Sequence, residues 1–278
     1  MHAEHDVDPS QFEPGLSDDQ QAYEHILDMV AGRFDLSFDY RVNSWLGAFL
    51  MVPIGVTTVD ASFKGVDGQF LDEFPSIHHR TEAVVGLADL NVGLNFYPMP
   101  PAIAKNTDVE VGVGVTLPTG EVEPDPFVKG AQGLKHQHLF YGTGSVNPIL
   151  RLVVKQRLGK AWLVAWGQGV WSLYSGKHDY KANTVVAGGF GGSYPILAKR
   201  LSFTLQHEVF YETAARWGEN VAKNSGRTDL IVSAGLMWSQ PKWVALLGAK
   251  YPYKIITSGD QLEAPVLLSV DFSYRFQL

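Results

Sequence analysis

The sequence predicts an all-β protein, a transmembrane antiparallel up-and-down β-barrel of the bacterial outer membrane. Three observations indicate this fold: long runs of alternating apolar and polar residues, connections that alternate between short turns and long loops, and aromatic residues at the ends of the runs. A membrane barrel turns apolar side chains toward lipid and small or polar side chains toward its lumen, which produces a period of two along each strand. A soluble β-sandwich shows the same period, so strand length has to separate the two architectures.

The clearest alternation extends from Asp108 to Leu117. Valine occupies every second position from Val109 to Val115, and the positions between hold glycines or an acidic residue. Soluble strands usually have about 5–6 residues, whereas a tilted membrane strand needs about 9–11. Eleven runs have the membrane length, near residues 32–44, 46–58, 82–97, 108–117, 138–156, 162–174, 183–196, 201–213, 227–239, 243–256 and 264–278.

The connections between these runs alternate in length. Short turns lie near residues 159–160, 198–200 and 240–242, whereas longer polar loops lie at 60–79, 118–137, 175–181 and 214–226. Bacterial barrels have short periplasmic turns and long external loops. Aromatic residues lie near many of the run ends, as interfacial girdles require: Tyr97, Tyr141, Trp162, Tyr174, Tyr211, Trp238, Trp243 and Tyr253. The sequence therefore predicts a Gram-negative outer-membrane protein whose outer face contacts lipid.

The N-terminal region is predicted to hold a short helix. Ser17 and Gln20 have capping-box spacing, and apolar residues follow at helical intervals up to Val30, so we expect a helix over 17–31. Bacterial barrels have even strand numbers, so we expect twelve strands. The strand not located lies within residues 1–16, or the helix passes up the lumen in its place. The predicted organisation is thus a segment 1–31, which could be lumenal, and a barrel over 32–278.

The composition excludes several classes of function. The chain of 278 residues contains no cysteine, which rules out disulfides, thiolate metal sites and thiol catalysis. A net charge of −7 argues against a nucleic-acid partner, because little positive charge is left to neutralise phosphates. No stretch approaches the roughly 18 apolar residues of a membrane helix, so any crossing of the membrane has to use strands.

Three glycine-containing motifs resemble a known family. They are Gly86-Leu87-Ala88-Asp89-Leu90, the segment Gly114–Gly120 (GVTLPTG) and the segment Gly142–Leu150 (GTGSVNPIL). Together they resemble the outer-membrane family named for the meta-pathway of phenol degradation, over roughly residues 82–278. The resemblance implies a channel or transporter for small, often aromatic, compounds. The C-terminus also resembles the signature that the barrel-assembly machinery reads, with aromatic residues at 272, 274 and 276, although it ends on Leu278 rather than phenylalanine.

The polar faces of the runs are predicted to line the lumen. The charged residues on these faces are Asp35, Asp39, Arg41, Asp89, Glu110, Arg151, Lys155, Glu208, Asp229, Lys250, Lys254, Asp271 and Arg275. Acidic and basic members nearly balance, which predicts weak charge selectivity. Because the first and last strands of a closed barrel are neighbours, we expect Asp35, Asp39 and Arg41 to lie near Asp271 and Arg275, where opposite charges pair and cancel. This leaves the lysine pair on residues 243–256 and the basic pair on residues 138–156 as a bias toward anions. A lumen of about twelve strands can conduct or can be plugged by its own side chains.

The first long loop is unusually apolar for an exposed segment. It contains Phe63, Phe70, Leu71, Phe74 and Ile77. This loop either folds inward and gates the outer mouth or packs against neighbouring loops.

No catalytic, cofactor or metal site is predicted. His78-His79 and His136 with His138 supply too few ligands for a closed metal site. The glycines of Gly188–Gly192 lack the lysine and hydroxyl residue of a phosphate loop, and Ser145 lacks the flanking glycines of a nucleophile elbow. The predicted function is passive uptake or efflux of small molecules, with a closed structural barrel or a sheath around a periplasmic partner as alternatives.

Overall fold

The structure is a computed structural model that describes residues 2–7, 12–13, 15–72, 74–77, 80–98, 105–136, 139–197, 200–222, 225–257 and 266–276. The strands are β1 (His2–Asp6), β2 (Glu24–Arg41), β3 (Leu46–Lys64), β4 (Glu82–Leu87), β5 (Leu90–Phe96), β6 (Thr107–Leu117), β7 (Asn147–Leu158), β8 (Ala161–Val170), β9 (Tyr180–Lys181), β10 (Val185–Leu197), β11 (Leu201–Glu212), β12 (Arg216–Trp217), β13 (Asn220–Val221), β14 (Arg227–Ser239), β15 (Trp243–Thr257) and β16 (Leu267–Tyr274). One α-helix, α1, spans Pro126–Ala131. Within the described residues, no helix is both long enough and apolar enough to cross a membrane.

The large sheet is an antiparallel barrel sheet with the order β1-β2-β3-β5-β6-β7-β8-β10-β11-β14-β15-β16. Strand β4 pairs with the second half of β3 over Ile54–Val59, and β5 pairs with its first half over Leu46–Met51. The two strands therefore occupy one position, interrupted at Ala88 and Asp89. Counted in this way the sheet has twelve positions, and the predicted all-β, twelve-stranded membrane fold is confirmed.

The helix predicted over 17–31 is wrong. Only Asp18–Gln20 form a single 3-10 turn, at which the Ser17 N–H donates to Gln20 Oε1 at 3.2 Å. From Glu24 onward the chain is β2, which pairs with β3 from Glu24↔Lys64 to Arg41↔Gly47. This long-range ladder overrides the helical spacing, because local propensity is weak beside tertiary pairing. The boundary predicted between residues 31 and 32 therefore falls inside β2.

The strand that the sequence left unlocated is β1. It pairs with β2 from His2↔Asp28 to Asp6↔Glu24. The first of the two alternatives, a strand within residues 1–16, is the one that the structure confirms.

The two faces of the sheet differ in character. On β6, Val113 and Leu117 are exposed, whereas Gly112 and Thr116 are buried. The exposed set continues around the sheet with large apolar side chains such as Phe38, Phe190 and Leu268. A soluble protein rarely leaves so extensive an apolar surface in water. The exposed face is the one that lipid covers, and the opposite face is the inner wall.

Val113→Arg should lower the free energy of unfolding by about 2–4 kcal/mol, because an arginine near the bilayer midplane is costly. Val113 is 49% exposed on the apolar face and lies in the middle of β6. Val109→Arg is the matched control: it lies on the same face near the end of β6 and should cost about 0–1 kcal/mol. Urea-dependent folding into lipid vesicles measures both, and equal costs at the two positions would contradict this placement.

Candidate channel interior

The segment 139–146, called here the inner segment, runs along the inner wall. Its Tyr141 ring lies over Gly55 and Gly86, which are paired in register on β3 and β4. A Cβ on Gly55 would overlap the ring, so only glycine leaves room for it. We call the contact of the ring with Gly55 and Gly86 the Tyr141 seat. The Tyr141 hydroxyl lies 2.9 Å from Thr57 Oγ1 and 3.1 Å from the Val84 carbonyl oxygen. The inner segment therefore takes up part of the lumen on the β3–β4 side.

Asp89 holds the inner segment against the wall through hydrogen bonds. Its carboxylate accepts the Gly120 N–H at 3.0 Å on one oxygen and the Thr143 N–H at 2.9 Å on the other. The Thr143 hydroxyl donates to the same carboxylate. We call these three hydrogen bonds the Asp89 latch. Asp89 is buried at 6% exposure in the break between β4 and β5, where it contacts the inner segment, and its predicted contact with the lumen stays a prediction.

Asn147 extends the latch toward the strands on either side of the loop. Its amide donates to Thr143 Oγ1 at 2.8 Å and to Thr116 Oγ1 at 3.1 Å. Gly120 and Gly142 lie backbone against backbone, so that a Cβ on either would overlap the other. The three motifs that carry the family resemblance thus meet at one place, where they join β4, β6 and β7 to the inner segment.

Phe49 marks the inner face of β3, and the strand register then shows which charged residues share that face. It is buried, and a Cβ on either Gly93 or Gly114 would meet its ring at 2.6 or 2.9 Å. Register from strand to strand places ten of the predicted lumenal residues on this face. They are Asp35, Asp39, Arg41, Glu110, Arg151, Lys155, Glu208, Asp229, Lys250 and Asp271. Contact of these residues with a permeating solute remains a prediction.

The charged residues in the second half of β2 have partners on β2 itself and on β5 and the residue that follows it. Arg33 Nε lies 2.6 Å from Asp35, and Asn95 donates to Asp39 at 3.3 Å. The Arg41 guanidinium lies 3.9 Å above the ring of Tyr97. Asp35 thus has a basic partner two residues away on its own strand. Pairing across the seam with Asp271 or Arg275 stays a prediction.

A second charged cluster lies on β11, β14 and β15. Lys250 Nζ donates to Glu208 at 2.7 Å, and the Ser233 hydroxyl donates to the same carboxylate. Arg227 lies 2.8 Å from Asp229. Glu208 and Asp229 are both buried, so their cationic partners offset much of the cost of removing these carboxylates from water.

Two residues that were predicted to line the lumen, Lys254 and Arg275, lie elsewhere. Lys250 is opposite Ser233 on the inner face as predicted. Beyond it a β-bulge shifts the register and puts Lys254 opposite Leu230, on the outer face. A bulge inserts one residue and reverses the alternation beyond it, so the prediction for Lys254 was wrong. Arg275 lies just past the end of β16, is exposed, and donates its N–H to the Lys242 carbonyl at 2.7 Å beside a short turn.

An uncharged strip of the inner wall lies on β8 and β10. Val164 and Trp166 face Gly191 and Gly189 in register. A Cβ on Gly189 would approach Trp166 Nε1 to 3.0 Å, so the glycine leaves room for the indole. The indole N–H donates to Gln206 Oε1 at 3.2 Å. This apolar strip was missed because the inward positions of β8 are at least as apolar as its outward positions, so the alternation does not assign Trp166 to the lumen; only the register with β7 and β10 does.

The loops that follow β6, β8 and β11 pack together, and we call this unit the cap. Strands β9, β12 and β13 make a small three-stranded sheet. Its buried core contains Val122, Tyr180, Ala182, Ala215, Trp217 and Ala222, with Phe140 of the inner segment packed against it. Burial, with the nearby carboxylates of Glu212 and Asp89 adding to it, raises the pKa of Tyr180 to about 12. Helix α1 joins the cap through Phe127, whose ring lies 6.2 Å from that of Trp217.

The chain is similar in structure to the COG4313 outer membrane channel from Pseudomonas putida F1. The similarity has a TM-score of 0.58 at 12% sequence identity and covers 92% of this chain and 87% of that one. The two chains share a fold. Weaker similarities involve a Pseudomonas aeruginosa FadL homologue (TM-score 0.36, 13% identity, 90% of this chain and 64% of that one) and OmpT of Vibrio cholerae (TM-score 0.35, 10% identity, 89% and 95%). No protein-family model and no curated protein matches the sequence. With its apolar outer face and this fold, the chain is a bacterial outer-membrane β-barrel.

The apolar first loop of this barrel packs against neighbouring segments. Phe63 is buried, with its ring 5.1 Å from that of His25 and 4.8 Å from that of Phe74. The Ile77 N–H donates to Glu13 at 2.8 Å. Leu71 donates its N–H to the Phe63 carbonyl, whereas Phe70 is 63% exposed. A gating role for this loop remains a prediction.

The histidines weighed as metal ligands are only partly described. His136 is buried, with Nδ1 2.9 Å from the Leu134 carbonyl oxygen, and its N–H donates to the Ile77 carbonyl at 3.3 Å. His78, His79 and His138 lie outside the described residues. His136 therefore has protein partners that account for its burial without a metal.

Proposed function

We propose that the protein is a passive channel for small, weakly polar or aromatic molecules. The observation that carries this proposal is the apolar strip on β8 and β10, where Trp166 and Val164 lie on the inner wall beside glycines. Binding sites for organic solutes are mostly apolar, with a few polar groups that orient the ligand. The charged clusters on the other strands keep water in the lumen, and the strip gives an aromatic solute a surface along which to pass.

Trp166→Ala should lower the permeability to a neutral aromatic solute, such as a phenyl glucoside, several-fold relative to the methyl glucoside. The two solutes share the sugar, and only the phenyl group uses the additional aromatic stacking that the indole offers. Trp238→Ala is the matched control, because Trp238 lies on the outer face, opposite Ala245. Proteoliposome flux measures the ratio of the two permeabilities. An unchanged ratio in Trp166→Ala would overturn the aromatic preference, and no protein-dependent flux of either solute would overturn the channel.

Lys250→Gln should shift ion selectivity toward cations, whereas Lys254→Gln should leave it unchanged. Loss of Lys250 leaves the Glu208 carboxylate without its ammonium partner at 2.7 Å on the inner wall, and selectivity follows the nearest wall charge. Lys254 carries the same charge on the outer face, which makes it a matched control. Reversal potentials in a potassium chloride gradient measure both, and equal shifts would contradict the bulge-derived placement.

The wild-type selectivity is proposed to be weak. The anion bias was expected from two basic pairs, and the pair on β15 does not contribute to it. Lys250 is paired with Glu208, and Lys254 faces outward. On the remaining side, Arg151 and Lys155 are in register with Gly112 and Asp108, and Glu110 lies between these two partners on β6. Acidic and basic groups thus stay interleaved along this part of the wall.

A closed structural barrel is the second candidate. The Asp89 latch and the Tyr141 seat hold the inner segment against the wall, and this arrangement favours a narrow lumen. Single-channel recording separates the two candidates: steady openings support the channel, and a silent trace with correctly folded protein supports the structural barrel.

A further inference from the structure

Lys254 is exceptional on the outer face. Among the described residues of the barrel strands from β4 onward, the outward register positions hold apolar, small or uncharged polar side chains, apart from Lys254 and the titratable His207. The bulge that turns Lys254 outward adds one residue to β15, Tyr253, between Pro252 opposite Ile231 and Lys254 opposite Leu230. Without that extra residue Lys254 would share the inner face with Lys250.

The residues around Lys254 form a polar group on the outer surface. His207 Nε2 lies 2.6 Å from the Tyr253 hydroxyl, which places Tyr253 on the outer face beside Lys254. His207 also stacks on Phe190, at 5.7 Å between ring centroids. Tyr211 and Tyr251 are exposed on the same face, at 45% and 58%. Tyrosines of this kind mark the boundary between hydrocarbon and headgroups.

The height of Lys254 agrees with that boundary. Trp243 begins β15 beside a short turn and is in register with Tyr274, as expected of the periplasmic girdle. Lys254 lies eleven residues further along the strand. At about 3.3 Å per residue and a tilt near 40°, with one residue taken up by the bulge, the rise is about 25 Å. The apolar band of an outer-membrane barrel is also about 25 Å tall, so Lys254 reaches the external headgroup layer.

We propose that Lys254, Tyr253 and His207 form a binding site for a phosphate group of the outer-leaflet glycolipid. A lysine ammonium is a compact point charge that binds phosphate well, and the Tyr253 hydroxyl and the imidazole are further hydrogen-bonding groups beside it. At this height the outward charge costs little, whereas within the hydrocarbon it would cost several kcal/mol. Phe190, 65% exposed below on the same face, contacts the acyl chains of the same lipid.

The test compares diphosphoryl lipid A with its dephosphorylated form on the folded full chain in detergent micelles, by native mass spectrometry. The wild type should hold the diphosphoryl form at least about tenfold more tightly than Lys254→Gln does, and Lys254→Arg should keep the binding. Lys250→Gln, which removes the same charge from the inner face, should bind as the wild type. All variants are first checked for heat-modifiable migration, so that a misfolded barrel is not scored.

Three results would overturn the site. One is equal binding by the wild type and Lys254→Gln, and a second is equal binding of the two lipid A forms. The third is full displacement of lipid A by millimolar inorganic phosphate, which would assign the site to a free anion instead of a lipid. None of these outcomes depends on conductance, so the site and the channel proposal can fail separately.

Discussion

Asp89→Ala should raise the fraction of time that the channel spends in its high-conductance state by at least about tenfold. The Asp89 latch consists of hydrogen bonds from the Gly120 N–H, the Thr143 N–H and the Thr143 hydroxyl. Hydrogen bonds to a charged group contribute about 1.5–3 kcal/mol each, and about 1.4 kcal/mol changes a population tenfold. Single-channel recording of open-state occupancy measures the effect.

The matched control for the latch is Asp271→Ala. Asp271 lies on β16, opposite Leu246 on the inner face, and its removal changes the wall charge by the same amount. This variant should keep wild-type occupancy. Thr143→Val, which removes the hydroxyl with its bonds to Asp89 and Asn147 but keeps the Thr143 N–H on Asp89, should give an intermediate rise. A wild-type trace from folded Asp89→Ala, or equal effects of the two aspartate variants, would show that the inner segment is held by other contacts.

Much of the fold could be predicted because lipid imposes a pattern on single strands. The alternation from Asp108 to Leu117 is set by what each residue faces, so it is legible without knowledge of the partner strands. The N-terminal region was harder. Residues up to Val30 have helical spacing, yet pairing of β2 with β3 decides their structure, and their partners lie 40 positions away at Glu24 and 28 at Val30.

The site was predictable only in part, for reasons that are also physical. A register-reversing bulge at Tyr253 has no signature in the alternation, so Lys254 was placed on the wrong face. The resemblance motifs around Asp89 and Asn147 were visible as sequence, but their meeting depends on the inner segment folding back against β3 and β4. Trp166 had no signal in the alternation, because the outward phase of β8 holds small residues and is less apolar than the inward phase.

Gly55→Ala should evict the Tyr141 ring from its seat and also raise open-state occupancy severalfold. The new methyl group would overlap the ring, and overpacking of this kind typically costs about 1–3 kcal/mol. Displacement of the ring also removes the contact of its hydroxyl with Thr57, at 2.9 Å. Because the barrel strands themselves need not move, the cost should fall on the inner segment. Gly32→Ala on β2 is the matched control, since the nearest atom to its Cβ is the Val56 carbonyl oxygen at 3.8 Å.

A double variant separates eviction of the ring from general damage to the wall. If Gly55→Ala acts through the Tyr141 seat, then Tyr141→Ala should raise occupancy by itself, and addition of Gly55→Ala to it should change little. Such non-additivity is expected of two changes that abolish one shared contact. The methyl group would then occupy space that the absent ring has vacated, so the double variant should also fold as stably as Tyr141→Ala alone. Additive rises in occupancy, or a rise of the same size in Gly32→Ala, would mean that the glycine serves the strand and not the seat.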